Sequence, residues 1–419
     1  MLHWRILKFA AVRKNEHGKE RGFSGDISYM KYRRFGKTDF QVPVISSGGM
    51  RFQHSWKGSD EVPTESQERL EKCVRHALDL GINHFETARG YGTSEEQLGK
   101  VLSDLPRSEI ILQTKVGPAP QVDKFVAAFE KSISLLGVDY LDLFAFHGLN
   151  NQEALDNALR CMDVVQGWKQ AGRIRAIGFS THGATETILD ALKTELFDYV
   201  NIHWYYIFQE NWPAIEEARR QDMGVFIISP NDKAGLLYKP SDKLRSLCEP
   251  LHPMVFNGLF CLMHEEVHTL SCGVAQAEDF DIHMETVEKL DDAEKWVAPV
   301  VERLESELAR VLGESWAETW AQGLPDWDVT PGEINMRWIL RLRNLALAYD
   351  MVEYGKMRYN MLGNGGHWFP GAKADAIDEV DLSQCLANAP HAAAIPAALA
   401  EAHTLLAGEE KKRLIEDEA

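Results

Sequence analysis

Eight short β-rich runs, each followed by a stretch with helical periodicity, dominate the chain between Val44 and Cys272. The runs are Val44–Gly48, Ile82–Glu86, Ile110–Lys115, Leu141–His147, Ile174–Phe179, Tyr199–His203, Val225–Ser229 and Val267–Cys272. Parallel strands need a crossover between them, usually a helix, so strict β/α alternation selects a parallel sheet covered by helices. Eight repeats in about 230 residues predict an α/β fold of the closed kind, a (β/α)8 TIM barrel. A doubly wound open sheet is the competitor, and it is weakened because no G-x-G-x-x-G turn follows the first run. One intervening helix places Leu70, Cys73, Val74, Ala77 and Leu78 on a face, after a capping box at Thr64 and Gln67 and before Gly81. Others run from Val122 to Leu136 before Gly137, and through Leu155, Leu159, Met162 and Val165 to a stop at Gly172. Tyr32–Phe35 and Asp39–Val44 read as a small hairpin plugging the bottom of the barrel.

After Met284 the strand pattern fades. Pro299–Leu312 carries Val300, Val301, Leu304, Leu308 and Val311 on one face, with Gly313 as its stop. Met336–Met361 and Pro396–Ile415 are further helix candidates, separated by the Gly-rich piece Gly363–Gly371. The predicted organisation is a poorly ordered extension at 1–29, a barrel at 30–284 and a mainly α-helical extension at 285–419.

Charge narrows the partners. Of 419 residues, 45 are Lys or Arg and 63 Asp or Glu, a net charge of −18 that repels nucleic acid and anionic membranes. No apolar run approaches the roughly 18 residues of a membrane span. Met1–Tyr29 holds six basic and three acidic residues, and Lys8 breaks its one apolar cluster, so no secretory signal is expected. The six cysteines form no C-x-x-C pair, which argues for a reduced, cytoplasmic protein. Nothing in the sequence sets an oligomeric state.

Barrels of this kind react at the C-terminal ends of their strands. Those positions offer Glu86, Tyr91 five residues beyond it, Lys115 and His147. Any one alone reads as structural, whereas a carboxylate, a phenol, an ammonium and an imidazole at neighbouring strand ends suit proton transfer. A free phenol titrates near 10 and is a poor acid at neutral pH. An adjoining Lys115 ammonium is expected to lower that value, with Glu86 holding the amine and His147 bonding the acceptor oxygen.

The segment Asn83–Gly99 (NHFETARGYGTSEEQLG) resembles the signature of the aldo-keto reductases. Gln113–Val116, Leu141–Gly148, Ile177–His182, Ile228–Asn231 and the start Met30–Thr38 are similar to further stretches of that family in the same order. The resemblance covers about 30–285. It implies an NADP- or NAD-dependent oxidoreductase that reduces a small-molecule aldehyde or ketone to an alcohol, or the reverse. Its catalytic set of Asp, Tyr, Lys and His falls on Glu86, Tyr91, Lys115 and His147, with Glu where the family has Asp. The longer arm of Glu86 must fold back or displace Lys115, which puts efficient reduction of ordinary aldehydes in doubt. The resemblance places cofactor contacts at Gly49, Met50, Ser180, Thr181 (for the usual Asn), Asn201 (where Gln is common), Ser229, Asn231 and Lys233. The segment from Gly273 to Asp279 aligns with the cradle of the adenosine 2′-phosphate, yet it carries Glu278 and Asp279 and no cation, so a relaxed NADP preference is expected. A weakly catalytic, cofactor-binding scaffold subunit and a reductase of activated C=C bonds are the alternatives.

Trp56, Trp204, Tyr205 and Tyr206 lie near loops of the mouth and read as a substrate wall or as core. His367 and Trp368 read as packing between the two units, with a lid over the substrate as the alternative. Cys261, His264, His268 and Cys272 have metal-ligand types, but a helix–turn–strand course keeps them from converging, so no metal is expected.

Overall fold

The computed structural model describes residues 30–363 and 369–411. The expected extension at 1–29, the pair His367 and Trp368, and the chain beyond 411 lie outside the described residues. Ten strands are present among them: β1 (Tyr32–Arg34), β2 (Gln41–Pro43), β3 (Ile45–Gly48), β4 (His84–Glu86), β5 (Ile111–Val116), β6 (Leu141–His147), β7 (Ile174–Ser180), β8 (Tyr199–Ile202), β9 (Gly224–Ile227) and β10 (Thr269–Gly273). β3 to β10 close into one parallel barrel in sequence order, with β10 bonded to both β9 and β3.

The period of two along each strand sorts the side chains. Ile111, Leu143, Ala145, Ala176, Tyr199 and Phe226 point inward and fill the lower interior together with Phe35 and Val42 of the hairpin. Phe85, Leu112, Phe144, Phe146, Ile177 and Val200 point outward into the helix layer. β1 and β2 pair antiparallel, Tyr32 opposite Pro43, and bring the Phe35 ring to 5.5 Å from that of Tyr199. Gly224 admits this plug, because a Cβ there would stand 2.6 Å from the Phe35 ring.

The outer helices are α1 (Thr64–Asp79), α2 (Ser94–Leu102), α3 (Val122–Leu136), α4 (Gln152–Gln170), α5 (Thr185–Lys193), α6 (Trp212–Arg220), α7 (Asp242–Cys248), α8 (Pro253–Leu262) and α9 (Asp281–Lys289). The capping box expected at Thr64 does not form. Pro63 takes the N-cap position of α1, and the Gln67 amide donates to Gln97 O at 3.0 Å instead. α3 and α4 stop where expected, with Gly137 and Gly172 at positive φ.

The C-terminal part adds α10 (Ala293–Leu312), α11 (Glu314–Thr319), α12 (Met336–Tyr349), α13 (Val352–Tyr359) and α14 (Ile395–Leu406). α10 starts six residues ahead of Pro299, which sits inside the helix rather than at its first position. The single helix expected at Met336–Met361 is two, broken where Asp350 adopts φ +56°. The expected boundary at 284 falls within α9, and the apolar core runs unbroken from the barrel helices into α10, α12 and α14. α13 and the end of α12 also steady the loop after β9: Tyr354 Oη donates to Lys233 O at 2.8 Å, and Ser241 Oγ donates to Tyr349 O at 2.7 Å. Among the described residues, no helix is long and apolar enough to cross a membrane.

Candidate active site

Glu86 ends β4, Lys115 lies one residue from the end of β5, and His147 ends β6, all at inward positions on neighbouring strands. Lys115 is 1% and Glu86 4% exposed. The Lys115 ammonium donates to one Glu86 carboxylate oxygen and, at 2.8 Å, to Thr87 O. It also lies 4.9 Å from the centroid of the Tyr91 ring. The other flank of Tyr91 meets the His147 ring edge-on, with centroids 5.5 Å apart at 87°. All four groups named from the sequence thus meet at the C-terminal mouth of the barrel.

The turn that carries Tyr91 is held on every side. Arg89 N donates to Lys115 O at 2.8 Å, and the Arg89 side chain pairs with the fully buried Glu95, which also accepts from Thr114 Oγ1 at 2.7 Å. Ser94 Oγ donates to Gly49 O at 2.7 Å. Gly92 has φ +53°, and a Cβ there would stand 1.9 Å from Ser55 O, so only glycine permits this closure.

Glu86 accommodates its extra methylene by reaching sideways. Its second oxygen accepts from Ser271 Oγ at 2.8 Å, although Ser271 belongs to β10 and β3 lies between. The intervening residue, paired with Glu86 across β3 and β4, is Gly48, where a Cβ would stand 2.7 Å from Ser271 Oγ. The glycine leaves the gap through which Glu86 and Ser271 touch. Ser271→Ala is therefore expected to destabilise the fold by about 1.5–3 kcal/mol, because a buried ionised group loses a bond. Thermal melting of the variant checks this, and an unchanged Tm would contradict it.

The electrostatics correct one expectation. The Tyr91 hydroxyl titrates well above its ordinary value, first through burial and then through the Glu86 carboxylate. Together these outweigh the lowering expected from Lys115. Burial, then the charges of Lys115 and Lys233, lower His147 to about 3. Near neutral pH the site thus presents a protonated phenol and a neutral imidazole.

The family model described as "Aldo/keto reductase family" matches residues 44–348, well over half of the chain. The chain belongs to the aldo/keto reductase family. It is 40% identical over 119 residues to an aldo-keto reductase of Mycobacterium sp. (strain KMS), covering 27% of this chain and 41% of that protein. It is 27% identical over 174 residues to the L-glyceraldehyde 3-phosphate reductase of Escherichia coli (strain K12), covering 38% of this chain and 47% of that one. The chain thus spans less than half the length of these two curated relatives. Among solved structures, the holo aldo-keto reductase of Bacillus halodurans superposes with TM-score 0.53 at 22% identity, covering 66% of this chain and 96% of that one. An aldo-keto reductase of Klebsiella pneumoniae in complex with NADPH gives 0.51 at 20%, covering 64% and 96%. These two bear on the fold.

The residues of this aldo/keto reductase expected to meet a cofactor do not behave alike. Asn201 on β8 is fully buried and neither its amide nitrogen nor its oxygen has a partner, an exception among buried polar groups. Ser180, opposite it on β7, accepts from Gly148 N at 3.1 Å. Thr181 is turned into its own loop, donating to Leu149 O at 2.7 Å and accepting from Gly183 N at 3.0 Å, so the expected contact through its hydroxyl is not supported. Gly49 N donates to Glu86 O at 2.8 Å, and Met50 follows it half-buried. Ser229 adopts φ +53° in the loop after β9, and Asn231 Nδ2 lies 3.3 Å from His283 Nε2. The Lys233 side chain leaves this loop altogether and turns to His182 and His203. Asp279 caps a short 3-10 turn, accepting from Ala275 N at 2.8 Å and Gln276 N at 3.2 Å, rather than facing a ligand.

The substrate-wall expectation needs the same correction for Trp204. It is 2% exposed and stacked on Phe260 at 5.0 Å, with Trp212 and His264 around it, which is core packing. The Tyr205 hydroxyl is committed to His203 and Ile228 O. Trp56 remains beside the Tyr91 turn, half-buried. The four metal-type residues diverge: Cys261 faces Trp204 O, Cys272 faces His283, His264 packs on Trp204, and His268 accepts from Val225 N. Among the described residues, no group of three or more such side chains could hold a metal ion.

Two residues at the mouth escaped the sequence reading. Ser271 could have been found from the inward alternation Thr269, Ser271, Gly273 on β10. Arg51 could not: its methylenes lie 3.0–3.1 Å from where a Gly273 Cβ would stand, and its guanidinium lies 4.2 Å from the Tyr238 ring centroid, a placement that depends on the course of the loop after β3.

Proposed function

We propose that this aldo/keto reductase reduces a small-molecule aldehyde or ketone to an alcohol, or catalyses the reverse, with NADPH or NADH. The observation that carries this reading is the meeting of Tyr91, Lys115, Glu86 and His147 at one mouth. A reduced nicotinamide supplies hydride when bound. The buried, unbonded amide of Asn201 fits its carboxamide, with Ser180 beside it, while the backbone at Ser229 and Asn231, with Arg51 near Gly273, suits its phosphates. Tyr91 gives its Oη proton to the carbonyl oxygen as that oxygen gains charge. Lys115, kept in place by Glu86 and Thr87 O, supports the phenolate left behind. The neutral His147 orients the oxygen. The six cysteines are free thiols, which suits a reducing, cytoplasmic setting.

Turnover of a panel of aldehydes and ketones, followed by loss of NADPH absorbance, tests the reading. Saturable NADPH binding with no turnover of any carbonyl would overturn it.

The titrations set the shape of the pH profile. His147 stays neutral above about 3, so reduction has no limb from this group between pH 5 and 8. Tyr91 must be protonated to act, so kcat is expected to fall only as the pH rises into and beyond the ordinary phenol range. A limb near pH 6.5 that vanishes in His147→Gln would contradict this.

A further inference from the structure

The reduction asks one more thing of Lys115: an N–H kept back for the oxygen that Tyr91 leaves charged. The ammonium carries three N–H groups. One goes to a Glu86 carboxylate oxygen and one to Thr87 O, both at or just past the end of β4. Among the described residues the third is uncommitted, and the Tyr91 ring centroid lies 4.9 Å from the ammonium. Whether it stays so depends on the other Glu86 oxygen. A buried carboxylate oxygen without a donor is costly, so it takes whatever donor lies in reach.

That donor is Ser271 of β10, at 2.8 Å. Both groups are buried, Glu86 4% and Ser271 6% exposed. The contact crosses β3, where Gly48 has no side chain to interrupt it. Ser46, the β3 residue paired with Ser271, is bonded to His84 Nδ1 at 2.8 Å and to Thr269 Oγ1 at 2.7 Å, so it does not compete for the carboxylate. Without the Ser271 hydroxyl, the freed Glu86 oxygen has Lys115 close by, already bonded to the other oxygen of the same carboxylate. A turn of the carboxylate then draws a second Lys115 N–H to Glu86, the one that the Tyr91 phenolate needs.

We infer that Ser271 is a positioning residue of the reduction: by holding one Glu86 oxygen it limits Glu86 to a single Lys115 N–H and reserves another for the Tyr91 oxygen. The inference rests on the reductase reading and deepens it. Ser271 acts only through Glu86, to which its hydroxyl is bonded.

Steady-state kinetics and one structure test it. Ser271→Ala is expected to lower kcat by about 10- to 100-fold, the worth of one hydrogen bond to a charged group, with KM and the Kd of NADPH within about twofold of wild type. Ser271→Thr keeps the hydroxyl and is expected to hold kcat within about threefold of wild type. Where alanine leaves too little folded protein, Ser271→Cys fills the same space with a weak donor, and the same split between kcat and KM is expected. A kcat within about twofold of wild type in the variant that folds, or a loss shared equally by NADPH affinity, overturns the inference. The crystal structure of that variant gives a reading that needs no turnover. Glu86 is expected to present both oxygens to Lys115, and an unmoved Glu86 and Lys115 would overturn the inference. If that turn is seen and the wild type reduces no carbonyl, the hold of Ser271 on Glu86 and Lys115 stands and the reductase reading fails.

Discussion

Tyr91→Phe is expected to lower kcat for carbonyl reduction by about 10²–10⁴-fold, the range that removal of a general acid produces. The substitution deletes one oxygen and keeps the ring, so the edge-on contact with His147 and the approach of Lys115 survive. Glu86 remains bonded to Lys115 and Ser271, neither of which touches the hydroxyl. A loss in kcat with little change in the Kd of NADPH therefore isolates the proton donor from cofactor binding. Stopped-flow measurement of NADPH oxidation, with NADPH affinity measured alongside by fluorescence, reads both. A variant within about threefold of wild type would remove Tyr91 from the chemistry.

Mild acid is expected to unfold the protein well before its carboxylates protonate. His84 titrates at about 3 and His283 at about 4 in the fold, and both are buried. His147 and His268 are lowered as well, to about 3 and about 4, and His182 and His203 lie well below their ordinary value. In the unfolded chain each takes up a proton near pH 6.5. Between that pH and the folded values the unfolded state binds more protons, so stability falls as the pH falls. A fully buried group such as His84 or His283 withdraws about 1.4 kcal/mol per pH unit in that window, and the half-buried ones less. Glu95 opposes this, since burial raises its carboxyl above the usual range and acid favours its folded form. Glu305, also raised by burial, acts the same way, and two carboxyls do not offset six imidazoles. Thermal melting between pH 7.5 and 5 checks the balance: a steep fall in Tm is expected, and a flat profile would contradict it.

The barrel was readable in the chain because its signals are local. Leu141–His147 is an apolar run broken only by Asp142 and ending on a titratable residue, and the observed β6 has the same bounds. The strand ends alone also picked out Glu86, Lys115 and His147 without reference to any partner. What escaped depends on residues far apart in sequence. The capping box at Thr64 and Gln67 lost to Gln97, thirty residues on, which takes the Gln67 amide. Trp204 resembled a mouth residue until α6 and α8 enclosed it with Trp212 and Phe260. The titration of Tyr91 was misjudged because its burial, which comes first among the causes that raise it, depends on the closed barrel and not on the local chain. The contact of Glu86 with Ser271 was hidden for the same reason, since it depends on the gap that Gly48 leaves between strands far apart in sequence.

A crystal structure with NADPH and an unreactive carbonyl analogue bears most directly on Tyr91 as the proton donor. The account predicts the carbonyl oxygen within hydrogen-bond reach of Tyr91 Oη, and the carbonyl carbon about 3–3.5 Å from C4 of the nicotinamide. A carbonyl oxygen bonded elsewhere, with Tyr91 turned away from it, would contradict the account.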